Sequence, residues 1–147
     1  MVAPDLDIHR IHATDTSLLQ QFLETAGNSL ETFRYFASRP LTVITNHLVT
    51  IVLSENGMPI GYGHLDKDGE TVWLGIAVKE QMKGKGFGRR IMKFLVTAAD
   101  ELQLQQIMLT VDKSNSGAIA LYKQFGFVEA GMINEQSVKM IRKSNHA

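Results

Sequence analysis

The sequence predicts an α+β fold, a mixed α/β sheet covered by helices, and three observations carry that prediction. Two turn signals, Asn56-Gly57 and Asp68-Gly69, separate three β-rich runs, the pattern of an antiparallel meander. A strand, an amphipathic helix and a second strand follow between residues 71 and 111, the pattern of a parallel pair joined by a crossover. The chain has 147 residues, 44% of them hydrophobic, enough for one domain with one real core.

The elements follow in order. Leu6 to Ile11 reads as a short first strand. Asp15 or Thr16 caps a helix to Ala26 with Leu18, Leu19, Phe22 and Leu23 on one face, and Gly27 stops it. Asn28 with Glu31 resembles a capping box and predicts a second helix to about Ser38, ended by Pro40. His47 to Leu53 is β-rich. Pro59 opens the strand Ile60 to Leu65, and Thr71 to Val78 is the next. A helix is expected from about Gly88 to Leu102, with Ile91, Phe94, Leu95 and Ala98 as its apolar stripe. Gln106 to Val111 reads as a buried strand. Ser114 or Asn115 caps a further helix carrying Ile119, Leu121, Tyr122 and Phe125, ended by Gly126. Phe127 to Ala130 and Ser137 to Ile141 complete the order β-α-α-β-β-β-α-β-α-β-β. There is no repeat and no linker. The polar residues 143–147 read as a soft tail.

Composition excludes several functions. Lys plus Arg and Asp plus Glu each number 15, so the formal net charge is zero. Wholesale binding to nucleic acid or to an anionic membrane needs a basic excess that this chain lacks. With no cysteine there is no disulfide, thiolate nucleophile or cysteine–zinc site. The histidines show no metal-ligand spacing, so no metal is expected. The polar N-terminal stretch lacks the apolar run of a leader, and no run is long enough to span a membrane. These features are those of a cytoplasmic protein.

The most informative stretch is Lys83-Gly84-Lys85-Gly86-Phe87-Gly88, between a predicted strand and a predicted helix. Glycines allow a tight turn with exposed amides, and a helix N-terminus adds a partial positive charge. Together they suit a phosphate or pyrophosphate, with Lys83, Lys85, Arg89 and Arg90 raising the local potential. The spacing G-x-G-x-G is neither a Walker A loop nor the G-x-G-x-x-G of a dinucleotide fold. Taken alone, the loop fits a ligand site and a solvated glycine turn equally well.

A second block breaks the tie. GIAVKEQMKGKGFGRRIMKFL resembles the acetyl-CoA pyrophosphate loop of the GNAT (Gcn5-related N-acetyltransferase) superfamily. LTVDKSNSGAIALYKQFGFVEAG resembles its later pattern, carried here by Asn115, Ala118, Leu121-Tyr122 and Gly126-Phe127. The two blocks cover about residues 71 to 131, in the family's order and spacing. The resemblance implies a GNAT-like acyl-CoA N-acyltransferase fold in a single domain, 1–147. Acceptor-side elements would lie within 1–65 and the acetyl-CoA-binding core within 71–131.

The resemblance also implies roles. Backbone at Ile76, Ala77 and Val78 would pair with the pantetheine arm. Lys83, Gly84, Lys85, Gly86, Phe87, Gly88 and Arg89 would hold the pyrophosphate, most of the grip coming from backbone amides. Asn115 would bond the pantetheine or a water, and the strands of Val78 and Val111 would splay to admit acetyl-CoA, the co-substrate. Tyr122 would be the general acid for the leaving thiolate, a sensible pairing because a phenol of pKa about 10 can protonate a thiolate of similar basicity. A backbone N–H near Val78 would stabilise the oxyanion.

Two positions depart from the family pattern. Lys83 stands where Arg or Gln is usual, which keeps the charge but loses the planar fork. Val72 stands where many relatives carry a glutamate base. His64, Asp66 and Glu70 are the nearby candidates, and His64 is preferred for its pKa, with the Asp68-Gly69 turn expected to set it across from Trp73. On the acceptor side, Arg34, Tyr35 and Arg39 are candidate contacts for a carboxylate or phosphate, while Phe33 and Phe36 read as core. The expected activity is transfer of acetyl to a primary amine of a small molecule, such as an amino sugar or amino acid. A protein N-acetyltransferase and a catalytically silent CoA-binding regulatory domain are the alternatives. A homodimer is compatible, since many members of the superfamily pair.

Overall fold

The computed structural model describes residues 5–31 and 33–144. Of the expected soft tail, residues 145–147 lie outside the described residues, as does Thr32 of the acceptor-side segment.

The predicted mixed sheet is present and has seven strands: β1 (Leu6–Arg10), β2 (His47–Glu55), β3 (Met58–Asp68), β4 (Thr71–Val78), β5 (Gln106–Asp112), β6 (Val128–Met132) and β7 (Ser137–Lys143). Their spatial order is β1-β2-β3-β4-β5-β7-β6. The first four pair antiparallel, as the hairpin signals imply. β4 and β5 are the parallel pair, joined through α2 (Phe87–Glu101). Their ladder is confined to the single pair Trp73↔Met108. Beyond it the strand ends part, as the resemblance implies.

Strand β2 and the first half of β3 are buried on both faces, because helices cover both sides of the sheet. On one face α2 presses Ile91, Met92, Leu95 and Ala99 against Ile51, Leu53, Leu65 and Leu74. On the other, α1 (Ser17–Thr25) seats Leu19 and Phe22 against Val52, Tyr62 and Ala77. Leu19 and Phe22 are fully enclosed, each contributing roughly 1.5–3 kcal/mol of apolar burial. Among the described residues no helix is long and apolar enough to cross a membrane.

The second helix expected over residues 28–38 does not form. In its place the chain makes short 3-10 turns at Gly27–Glu31, Tyr35–Ala37 and Leu41–Asn46. The reason is tertiary. Phe33 must reach Tyr62 (5.4 Å between ring centroids) while Tyr35, two residues on, reaches His64 (4.4 Å). On an α-helix positions i and i+2 diverge, so both contacts require an irregular strap. Packing thus overrides a modest helical preference.

Candidate active site

A cleft of about 590 Å³ passes through the sheet where β4 and β5 part. One wall comes from β3, β4 and the 27–46 strap, the other from the end of β5 and α3 (Ser116–Gln124).

Beside the cleft, the turn into α2 is built from backbone. Gly86 is the residue before α2 and has φ +87°, a conformation that a side chain strains. No side chain caps the helix, so its first amides stay open for an anion. A Cβ at residue 86 would meet nothing within 4 Å, so the turn stands clear of other protein atoms. Of the flanking cations, Lys83 pairs with Glu80 at 3.2 Å, and Arg89 lies over Phe125 at 5.9 Å and donates to Gln124. Asn115 is the cap of α3, its Oδ1 accepting from the Ala118 amide at 3.3 Å. Tyr122, about two turns along α3 from that cap, is 7% exposed and lines the cleft. Burial raises its phenol well above the usual value.

The other side is built from side chains. Successive rungs cross the sheet: Thr50, His64 and Gly75 form one, and His47, Asp66 and Trp73 the next. His64 therefore faces Gly75, not Trp73 as expected. The turn's central residues are Gly69 and Glu70, with Asp68 paired to Thr71, and that moves the register by two. Gly75 is needed here, because a Cβ would fall 2.4 Å from His64 Nε2.

Two hydrogen-bond chains run along this face. Tyr62 Oη meets His64 Nδ1 at 2.6 Å. Tyr35 Oη donates to Asp66 Oδ2 at 2.9 Å and meets His47 Nε2 at 2.7 Å, while His47 Nδ1 meets Thr50 Oγ1 at 2.8 Å. Since the Tyr35 proton goes to the carboxylate, His47 Nε2–H donates to Tyr35. Burial, opposed in part by Asp66, lowers His47 to about 4, so it is neutral. Burial first, then His47 and Arg39, hold His64 well below the usual histidine value. Burial and Asp66 raise the Tyr35 phenol.

All three proposed acceptor-side contacts line the cleft, yet both arginines are engaged. Arg34 pairs with Asp112 at 3.1 Å and donates to the Glu31 carbonyl. Arg39 lies 4.4 Å above the Tyr35 ring and donates to its carbonyl at 2.9 Å. Sequence reasoning missed His47, Thr50, Tyr62 and Gly75. The alternation of Tyr62, His64 and Asp66 was the available signal, since every second residue of a strand shares a face. Among the described residues no group of three or more His, Asp or Glu is placed to hold a metal ion.

A mixed sheet opened between two parallel strands, with a glycine turn at the following helix, defines the acyl-CoA N-acyltransferase class of fold. A model of the acetyltransferase (GNAT) family matches residues 11–127, and the chain belongs to that family. The chain is similar to spermine/spermidine N(1)-acetyltransferase of Bacillus subtilis (strain 168), 33% identical over 84 residues, 56% of this chain and 55% of that protein. It is also similar to [ribosomal protein bS18]-alanine N-acetyltransferase of Escherichia coli (strain K12), 34% identical over 61 residues, 42% of this chain and 41% of that protein. The matched stretches thus span about half the length of these relatives. In fold it is similar to yncA, a putative acetyltransferase from Salmonella typhimurium solved with acetyl-CoA: TM-score 0.74, 19% identity, 97% of this chain and 96% of that one.

Proposed function

We propose that this protein is an acetyl-CoA-dependent N-acetyltransferase whose acceptor is a small cationic amine. Acetyl-CoA would supply an activated acyl carbon and a thiolate leaving group. The open amides at Gly86, Phe87 and Gly88 suit its pyrophosphate, with Lys83, Gly84, Lys85 and Arg89 around them. The edge of β4 beyond the last β4–β5 pair, at Ile76, Ala77 and Val78, suits its pantetheine, with the Val78 carbonyl accepting from Ser29 Oγ and Asn115 across the gap. In transfer, the acceptor nitrogen bonds the acetyl carbon and the carbon–sulfur bond breaks. Tyr122 gives its phenolic proton to the departing sulfur and is reprotonated from water, while the nitrogen sheds its extra proton to solvent. Burial raises the Tyr122 phenol above its usual match with a free thiolate, so the transfer relies on the same burial raising the basicity of a thiolate that leaves inside the cleft.

The observation that carries the acceptor class is the charge left over at the cleft. Arg34 is paired with Asp112, and Arg39 keeps its charge above the Tyr35 ring, so two arginines meet three aspartates at the lining, one net negative charge. Asp66 has Tyr35 as its hydrogen-bond partner, Asp68 stands beside it on the same strand face, and Trp73 lies across from Asp66. Carboxylates beside aromatic rings suit an ammonium, which displaces the anionic acceptor expected from the arginines alone. The comparison with a spermine/spermidine N(1)-acetyltransferase points the same way.

Thiol release from acetyl-CoA against an amine panel tests this. Alkyl diamines and polyamines should turn over at least about tenfold faster, in kcat/KM, than amino sugar phosphates or acidic amino acids. A preference for the anionic amines would overturn the acceptor class. Turnover only with a peptide N-terminus or lysine would establish the protein-directed alternative.

A further inference from the structure

Strand β3 presents two polar groups to the cleft, His64 and Asp66, and each is held by a tyrosine. The two tyrosines give them opposite polarity.

Tyr62 is fully enclosed, and among the described residues its hydroxyl has one partner, His64 Nδ1. A buried phenolic hydrogen without an acceptor is costly. Tyr62 therefore donates and Nδ1 accepts, which puts the proton of the neutral ring on Nε2. Nε2 has no partner among the described residues, yet no enclosed side-chain nitrogen or oxygen there lacks one. Nε2 is thus the ring atom open to the cleft, although His64 as a whole is only 2% exposed. It lies against Gly75, just past the last β4–β5 pair, where the gap through the sheet begins. Asp66 has the reverse polarity: Oδ2 accepts from Tyr35, and Oδ1 is a free acceptor among the described residues.

We propose that His64 is a fixed hydrogen-bond donor whose Nε2–H receives the acetyl carbonyl oxygen, and that Asp66 receives the acceptor's ammonium. This rests on the acetyl-transfer reading above and replaces the base role expected of His64. An attacking amine must keep its lone pair free, so a donor at this point serves an oxygen and not the nitrogen. An aligned donor strengthens its bond as negative charge grows on that oxygen. The Asp66 carboxylate, one rung outward, turns the acceptor's cationic group away from the ring. The groups facing His64 are Tyr62, Tyr35, His47 and Arg39, with Asp66 on the adjoining rung. None supplies an anion in contact with the ring that would draw a second proton onto it.

The test is a long-range proton–nitrogen NMR spectrum of histidine-labelled protein, which reads tautomers without turnover. Free protein should show His64 in the Nε2–H form throughout pH 8 to 5. Acetyl-CoA should move the Hε2 resonance downfield, and CoA, which lacks the acetyl oxygen, should not. Tyr62→Phe should mix the two tautomers. In kinetics His64→Gln, which retains a donor, should keep activity within about tenfold, while His64→Ala should lose about 10²-fold in kcat. An Nδ1–H tautomer, a ring titrating near neutral pH, equal shifts with CoA and acetyl-CoA, or a Gln variant as inactive as Ala would each overturn the proposal. Absence of any acetyl-CoA binding would instead remove the reading on which it rests, and the free-protein tautomer would stand apart from that result.

Discussion

The two halves of the proposed site, the α2 side and the cleft face of β3, are made differently. The α2 side is backbone: a glycine turn, open amides at a helix start and the strand edge beyond the last β4–β5 pair, all within residues 76–89. The opposite side is side chains drawn from three separate segments, Tyr35, His47 with Thr50, and Tyr62 to Asp66, locked by mutual hydrogen bonds above Gly75. A backbone site tolerates much sequence change so long as its glycines remain. A side-chain network can be retuned one residue at a time, and so is the natural place for acceptor choice.

The largest expected effect of mutation separates the two sides. Gly86→Val should cost about 1–3 kcal/mol of stability through its positive φ and weaken acetyl-CoA at least ~100-fold, leaving the Tyr35–Asp66 side intact. Calorimetry with normal affinity would erase the distinction. Tyr122→Phe should lower kcat by about 10²-fold with acetyl-CoA affinity unchanged, and an unaltered kcat would remove Tyr122 from the chemistry. Gly75→Ala probes the other wall. With His64 Nε2 in the way, it should destabilise the fold by about 1–3 kcal/mol and impair turnover while acetyl-CoA still binds. A wild-type urea midpoint would mean the ring is not packed against residue 75.

The smallest effect is on pH dependence. His47 and His64 are held neutral in the fold, His47 down to about 4, against an ordinary value of 6.5. Between those values the unfolded chain binds more protons than the folded one, so stability rises with pH across that window. The urea midpoint should therefore fall from pH 7 to pH 5, and His47→Gln should flatten part of the fall. An unchanged slope in that variant would show that His47 is not buried neutral.

The same contrast explains what was legible in the sequence. The α2 side could be read because its signal is contiguous: glycines at 84 and 86 stand immediately before a helix, with Gly88 in its first turn, and the helix stripe is unmistakable. The Asn115 cap was legible for the same reason. The other wall depends on register. Counting down from the Glu55–Met58 pair sets His64 opposite Val49, but a bulge at Leu53/Ser54 moves it opposite Thr50. A second irregularity, between His47 and Val49, brings His47 level with Asp66. Bulges leave little trace in one sequence. The strap at 27–46 was hidden for another reason: its path is set by the aromatic pocket it fills, not by its own periodicity.

The decisive titration is of acetyl-CoA into the purified protein by calorimetry. Saturable binding at roughly micromolar Kd is expected, abolished by Gly86→Val and preserved in Gly75→Ala. No heat of binding up to millimolar acetyl-CoA would contradict the acetyl-transfer reading, whatever the fold resembles.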